Sequence, residues 1–534
     1  MQGLLERIER LNAIGIALSA ERDTARLLER ILQSAKELTE ADAGTLYLVR
    51  DDRTIAFEIM RTDSLGIRLG GPSGDPIPFE PLPLEVAGRP NRSMVVTNCV
   101  LSESTISIPD AYHAEGYDFS GTRAFDRRTG YRTQSLLTVP MKNHENTVIG
   151  VLQLINAVED GSVVPFSDEA RRPAESLASQ AAIALTNKRL LDDMRELFES
   201  LIRLIAEAID EKSPYTGAHC RRVPELTMML ADAAHRVDRG PLSEFRMSDD
   251  ERYALHLAGW LHDCGKITTP EHVMDKATKL ETIRDGIDEI AARFAACRAA
   301  TEAAYGPRIA AAGAEEAERL RAERDAELAA LADDLEFLRR ANAGGESMDA
   351  ADRERVGAIA RREWIDADGR RRPLLGGDEV RNLKIERGTL NEQERAIIEH
   401  HVVATIQMLE KLPFPKNLRD VPEYAGGHHE RVDGRGYPSG LTREQMSVPA
   451  RAMAIADVFE ALSAGDRPYK PAKRLSECME IMGHMCLEGH IDPDLFDVFV
   501  DEGVYRAYAE RFLAPEQIDE VDPARIPGYR GAGA

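Results

Sequence analysis

The chain has 534 residues, too many for one hydrophobic core, so two or three domains are expected. A hydrophobic share of 43% and a charged share of 30% are those of an ordinary globular protein and exclude a fibrous or disordered class. The net charge of −24 repels a polyanion and argues against a broad nucleic-acid surface, while a metal or a local Arg/Lys cluster still permits a small phosphate ligand.

Residues 2–20 place Leu4, Ile8, Leu11 and Ile14 at a helical period on a charged, amphipathic segment unlike a secretory signal. No apolar run approaches the ~20 residues that a membrane span needs. The six cysteines are scattered without a CxxC pair and read as reduced thiols. A cytoplasmic location is the expectation. A helix is predicted near 24–40, and TLYLVRDDRTIAFEIMR then reads as two strands flanking a turn at Asp51 and Asp52. MVVTNCV, SLLTVPMKN and TVIGVLQLINA read as further strands. The first domain, 1–175, is therefore expected to be α+β, an antiparallel sheet flanked by helices.

From 174 to 210 there is no Gly or Pro, and Ile183, Asn187, Leu190, Met194, Leu197, Leu201, Leu204 and Ala208 follow a 4-3-4-3 spacing. That is a heptad seam with Asn187 on an a position, where one buried polar residue fixes register and a two-stranded state. Residues 176–212 are expected to form a long coiled-coil linker helix of a homodimer. The segment 213–515 reads as all-α, interrupted by an insertion at 282–385, and 516–534 as a C-terminal tail. Within the insertion, the charged, Ala- and Glu-rich segment at about 282–345, which includes EEAERLRAERDAELAALADDLEFLRR, predicts a helical hairpin, and GRRRPLLGGDEV an exposed loop. Neither carries an evident chemical group, so the insertion reads as a solvated protrusion or a partner surface. Pro224 predicts a helix that starts late or kinks.

Histidine carries the chemistry. His219 in SPYTGAHCRRV opens a helix, and His262 with Asp263 ends the apolar helix LHLAGWLHDCGK. His401 follows NEQERAIIEH, His428 and His429 open HHERVDGRGYPSG, and Asp457 lies in the apolar helix AMAIADVFEAL. A buried Asp must be paired, hydrogen-bonded or metal-bound. Five His and two Asp supply enough donors for two divalent ions bridged by one carboxylate, and Fe, Mn, Zn or Ni all suit such a set. Lys266 is four residues past His262, which puts both on one face of a continued helix.

HDCGK with ITTPE, then HHERVDGRGYP, then IADVFEALSAGDRPYK resemble the HD-GYP group of the HD phosphohydrolase superfamily, over about 200–281 and 386–515. The resemblance implies an all-α HD-GYP helical domain whose first metal is held by His219, His262, Asp263 and Asp457. Asp263 would bridge to a second metal held by His401, His428 and His429, with His400 competing for the place of His401. It implies catalytic roles for Asp263 and for Lys266, the latter stabilising phosphate charge or protonating the leaving oxygen. Gly436, Tyr437, Pro438, Arg467 and Lys470 would form the substrate pocket, and Arg431 either a further contact or a structural ion pair. Tyr215 stands where some members carry a Glu for a third metal, which favours two ions; Glu460 stands where Asp is usual. The implied reaction is hydrolysis of cyclic di-GMP to the linear dinucleotide and, with a second cut, GMP. The alternatives are a receptor that binds cyclic di-GMP or docks a partner without turnover, and a phosphohydrolase for another cyclic dinucleotide.

AFDRRTGYRTQSLLTVPM and TVIGVLQLINA resemble a GAF domain, of the kind that precedes cyclic-nucleotide phosphodiesterases. Asn156, Phe166, Asp168 and Glu169 keep part of the NKxxFxxxDE signature in altered spacing. The resemblance implies a sensor for an unidentified small ligand, a cyclic nucleotide or another, that regulates the enzyme, with a purely dimerising domain as the alternative.

Overall fold

A computed structural model describes residues 12–18, 20–21, 23–212, 219–344, 348–465 and 472–531. The chain divides into two compact units, 1–197 and 198–534, a division that falls inside the segment read as a linker helix.

The first unit is α+β. Helix α1 (Thr24–Thr39) starts where the Asp23 side chain accepts from the Arg26 N–H, so one otherwise unpaired helix donor is satisfied. Leu27, Leu28, Ile31 and Leu32 are buried on its apolar side. Strands β1 (Ala41–Val49) and β2 (Thr54–Thr62) form the expected hairpin, with Asp52 Oδ1 accepting from the Thr54 N–H at 3.0 Å in the turn. With β3 (Ile67–Gly70), β4 (Ile106–Ile108), β5 (Leu136–Lys142) and β6 (Val148–Glu159) they make an antiparallel sheet in the order β3-β2-β1-β6-β5-β4. Short strands at Leu82–Pro83 and Ser162–Val164 complete it. One segment departs from its predicted state. MVVTNCV is not a strand but the start of helix α2 (Val95–Ser102), with Val95, Val96 and Cys99 buried. A short apolar run fits a buried helix as well as a strand, and periodicity alone does not separate them.

Helix α3 (Asp168–Lys212) is continuous through the boundary at 197/198. In the first unit Ala174, Leu177, Ala178, Ala181, Ala182 and Leu185 join the core formed with α1 and the sheet. In the second, Ile202, Ala206 and Ile209 are buried. The predicted seam positions Ile183, Asn187, Leu190, Met194, Leu197, Leu201 and Leu204 are exposed.

The second unit is helical: α4 (His219–Arg236), α5 (Asp249–Leu261), α6 (Ile287–Ala311), α7 (Ala314–Asn342), α8 (Glu392–Glu410), α9 (Val421–Gly426), α10 (Val448–Ser463), α11 (Leu475–Leu487), α12 (Pro493–Asp501) and α13 (Val504–Phe512). Pro224 neither delays nor ends α4, which runs from His219 through it. Pro224 has no N–H to donate to the Cys220 carbonyl, so the helix runs on with that one bond missing. In the insertion, α6 and α7 form the expected hairpin, and the insertion has its own core around Ile290, Phe294, Leu331 and Leu338. GRRRPLLGGDEV is a loop only in part. Its arginines pair as the short strand Arg371–Pro373 with Glu363–Ile365, Leu374 and Leu375 are buried, and GDEV begins a helix. All six cysteines are free. Among the described residues, no helix is long and apolar enough to cross a membrane.

Candidate metal centre

Four segments of the second unit deliver the histidines. Ser248 and Glu251 form a capping box that starts α5, and the helix ends at Leu261 with His262 as its C-cap. Asp263 follows, and Cys264–Thr268 coil into a tight 3-10 turn. Lys266 therefore does not continue the face of His262 one α-turn on, as the spacing predicted. The turn folds it back so that its Nζ lies 2.6 Å from Asp263 Oδ2. Asn391 and Glu394 cap α8, which carries His401. The turn after α9 carries His428 and His429, and α4 begins at His219. Gly265 explains how α8 comes so near: a Cβ there would lie 1.9 Å from the His401 carbonyl oxygen. The Gly265 N–H instead donates to Thr405 Oγ1 at 2.9 Å, and that hydroxyl donates to the His262 carbonyl at 3.1 Å.

The imidazoles are oriented alike. His262 Nδ1 lies 2.7 Å from the Gly259 carbonyl, His428 Nδ1 lies 2.6 Å from that of Ala425, and His401 Nδ1 contacts that of Ile398. His219 Nδ1 lies 2.5 Å from Glu460 Oε2. A carbonyl or carboxylate oxygen accepts, so each Nδ1 bears the proton and each Nε2 presents a lone pair. Those lone pairs converge on Asp263. Its Oδ2 is 3.3 Å from both His219 Nε2 and His262 Nε2, and its Oδ1 is 3.3 Å from His401 Nε2 and 3.9 Å from His428 Nε2. Asp457 Oδ1 joins the first group, 3.2 Å from His219 Nε2. His429 joins the second, with one ligand atom from each of His401, His428 and His429 within 4.8 Å of the others. His400 is exposed on α8, so the geometry brings in its neighbour His401.

This arrangement fits a cation. His262 Nε2 and His219 Nε2 are 3.3 Å apart, and His401 Nε2, His428 Nε2 and Asp263 Oδ1 are buried without a hydrogen-bond partner. Converging unprotonated nitrogens and carboxylate oxygens repel one another unless positive charge sits among them. The electrostatics agree. Burial and the neighbouring His429 and His262 hold His428 well below the ordinary imidazole range, and burial holds His429 at about 4, so both are neutral donors. Burial pushes the Asp263 carboxyl up, but Lys266 and His262 outweigh it and leave the group ionised. Burial alone would discharge Lys266 and His219; the carboxylates of Asp263 and Asp457 beside Lys266, and of Glu460, Asp263 and Asp457 beside His219, raise both above their ordinary values. A cation at His219 Nε2 answers the same field while Nδ1–H stays on Glu460.

Tyr437 stacks on His429, with ring centroids 4.8 Å apart. Gly436 lies against the Glu430–Arg431 backbone so closely that a Cβ would come within 2.3 Å of the Arg431 nitrogen, so this glycine serves loop closure. Pro438 is exposed. Arg431 pairs with Asp433 at 2.8 Å. Arg467, Lys470 and Tyr215 lie outside the described residues. Two acids carry more than the motifs suggested. Glu430, buried, accepts from the Ser439 and Leu441 N–H groups at 2.7 and 2.9 Å and so closes the loop bearing Tyr437. Glu460 accepts from His219 and from Arg222 Nε, the latter at 2.6 Å. The signal for Glu460 was its place three residues after Asp457 on an apolar helix; Glu430 gave none beyond the motif.

In the first unit, two of the residues that resembled a cyclic-nucleotide signature, Asp126 and Asn156, are tied to the fold. Asp126 accepts from Tyr112 Oη, Thr133 N and Thr133 Oγ1 at 3.0, 2.8 and 2.9 Å. Asn156 accepts from Gln134 N and donates to the Arg132 carbonyl, both at 2.8 Å. Together they lock the segment 126–134 onto the sheet.

Comparison with known proteins agrees with both units. Residues 23–185 match the GAF domain, and residues 377–495 match the HD domain, a span that holds His401, His428, His429 and Asp457. The chain is 43% identical over 113 residues to 3'3'-cGAMP-specific phosphodiesterase 1 of Vibrio cholerae serotype O1, covering 21% of this chain and 25% of that protein. It is 39% identical over 110 residues to 3'3'-cGAMP-specific phosphodiesterase 3 of the same organism, covering 20% and 23%. It is 46% identical over 119 residues to a cyclic di-GMP phosphodiesterase of Pseudomonas aeruginosa, covering 22% and 28%. The chain spans about a quarter of the length of these curated relatives.

Proposed function

We propose that this protein is a metal-dependent phosphodiesterase of the HD-GYP type that opens cyclic di-GMP to the linear dinucleotide, with its GAF domain as regulator and a homodimer as the working unit. One observation carries the reading: imidazoles fixed at Nδ1 present their Nε2 atoms to the two oxygens of the buried Asp263. His219, His262, Asp263 and Asp457 would hold one divalent ion, and His401, His428, His429 and Asp263 a second. When bound, such ions supply Lewis-acid chemistry, polarising the phosphodiester and acidifying a water.

The chain's own groups do the rest. Asp263, shared between both donor groups, fixes their separation. Lys266, held charged beside Asp263, stabilises the negative charge that grows on the phosphate and gives a proton to the leaving sugar oxygen as the P–O bond breaks. Tyr437, stacked on His429 and held by the loop that Glu430 closes, borders the substrate on the side of the second donor group.

The test is turnover by protein loaded in turn with Mn, Fe, Zn and Ni, with products separated by chromatography and Asp263→Ala run alongside. The expected result is linear dinucleotide from the wild type and a loss of at least about a thousandfold in the variant. Wild type that leaves cyclic di-GMP intact under every loading, as the variant does, would sink the proposal. Two of the relatives above are named for 3'3'-cGAMP, so a second reading keeps the reaction and changes one base. A competition assay with equal amounts of both cyclic dinucleotides decides between them by which is consumed first.

A further inference from the structure

We propose that Lys212, the last described residue of α3, is a positioning residue for the turn that carries Asp263 and Lys266. The reading begins with the turn itself. Cys264–Thr268 is a single short 3-10 segment closed by the Thr269 N–H on the Lys266 carbonyl at 3.0 Å, and such a short segment leaves the carbonyls beyond that bond without intrahelical donors. Its inner side is fixed by Gly265 N–H on Thr405 Oγ1. Its outer side is open at Ile267, which is 54% exposed.

Lys212 ties that side down. Its Nζ lies 3.2 Å from the Lys266 carbonyl oxygen, 2.7 Å from that of Ile267 and 2.6 Å from that of Thr269. An ammonium has three donors and no acceptor, so three carbonyls of one turn saturate it. The helix behind it is firmly seated: Ile202, Ala206 and Ile209 are buried with Leu255, Ala258, Leu261 and Cys264. Lys212 therefore joins a rigid support to the backbone of Lys266 itself, three residues from the shared carboxylate of Asp263. A small displacement of that backbone moves Lys266 Nζ relative to Asp263, and misplacement of a reacting group by about 1 Å costs up to a hundredfold in rate. Motion or rotation of the end of α3 would reach the site by this route.

The rate arm of the test rests on the phosphodiesterase reading; the exchange arm does not. Full-length wild type, Lys212→Met, Lys212→Arg and the control Lys188→Met, whose Nζ pairs with Asp192 on the same helix, are compared by steady-state kinetics and by amide hydrogen exchange. The expected result for Lys212→Met is a fall in kcat of about tenfold with KM changed less than about twofold, and faster exchange in peptides covering 264–269. Lys212→Arg, which keeps the donors, recovers most of both, and the control matches wild type. Unchanged exchange at 264–269 in Lys212→Met, or Lys212→Arg behaving like Lys212→Met, overturns the proposal. Wild type that hydrolyses no cyclic dinucleotide overturns the functional reading instead, and the exchange comparison still decides the tether.

Discussion

His219 stands between carboxylates that use its two nitrogens differently. Glu460 accepts from Nδ1–H at 2.5 Å, while Asp263 and Asp457 lie 3.3 and 3.2 Å from Nε2. The Nδ1 contact decides that Nε2 is a lone pair, and the negative charge behind it makes the ring a stronger donor. Glu460→Gln keeps the length and the oxygen but removes the charge. It should weaken metal binding by about 10–100-fold, measured by titrating the metal-free protein calorimetrically. Affinity within about twofold of wild type in a folded variant would show that the contact orients nothing. The donors at this scale were legible because His and Asp rarely end or punctuate apolar helices, so their framing gave them away. The role of Glu460 was not legible: its partner is 241 residues distant in sequence, and only the packing of α4 against α10 brings them together.

The elements around the site meet at two places where one atom decides the packing. At Gly265 the 3-10 turn touches α8, and a methyl group would lie 1.9 Å from the His401 carbonyl oxygen. Gly265→Ala should therefore push α8 away and detach His401, with bound metal falling from about two ions per chain towards one. Elemental analysis after gel filtration checks it, and full occupancy with normal turnover would contradict it. The second place is the start of α12. Asp492 caps it, accepting from Asp494 N–H and Leu495 N–H at 2.8 and 3.0 Å, and also receives Arg443 Nε at 2.8 Å and the Arg451 guanidinium of α10. Burial pushes the Asp492 carboxyl up, but Arg451 and Arg443 outweigh it and leave it below its ordinary value. A depressed folded value means that this stabilisation is present above about pH 4 and is lost as pH falls through the folded value. Asp492→Asn keeps the cap and loses the ion pairs, at a cost of about 3 kcal/mol at pH 7. The gap to wild type in thermal unfolding should narrow as pH falls below about 4; an equal gap at pH 7 and pH 3 would refute the assignment. The hairpin of β1 and β2 was legible because its apolar residues and its Asp-Asp turn agreed. MVVTNCV was not, because seven residues, with Thr97 and Asn98 among the apolar ones, are too few for a period to distinguish the two states. Leu374 and Leu375 were hidden by the arginines and glycines around them.

For the whole molecule, the net charge of −24 makes association of two copies unfavourable unless an apolar surface outweighs it. Helix α3 offers one. Met194, Leu197 and Leu204 are 65%, 62% and 61% exposed, and the same face carries Ile183, Leu190 and Leu201 with Asn187 among them at heptad spacing. A single chain leaves this stripe in water, which isolated surface leucines tolerate but a regular row several heptads long does not. A parallel pairing of two α3 helices, as in the proposed dimer, would bury the row. Asn187 then costs stability and in return fixes register, since one polar residue at an a position is satisfied only opposite its twin. Two variants separate these effects by sedimentation velocity. Leu197→Asp with Leu204→Asp should convert a dimer to a monomer at micromolar concentration. Asn187→Val should stay associated and tighten, while broadening the distribution of states beyond the dimer. A wild type that sediments as a monomer at those concentrations would leave the stripe without this partner and remove the dimer from the proposed function, while the metal centre, built wholly from one chain, would stand unaffected.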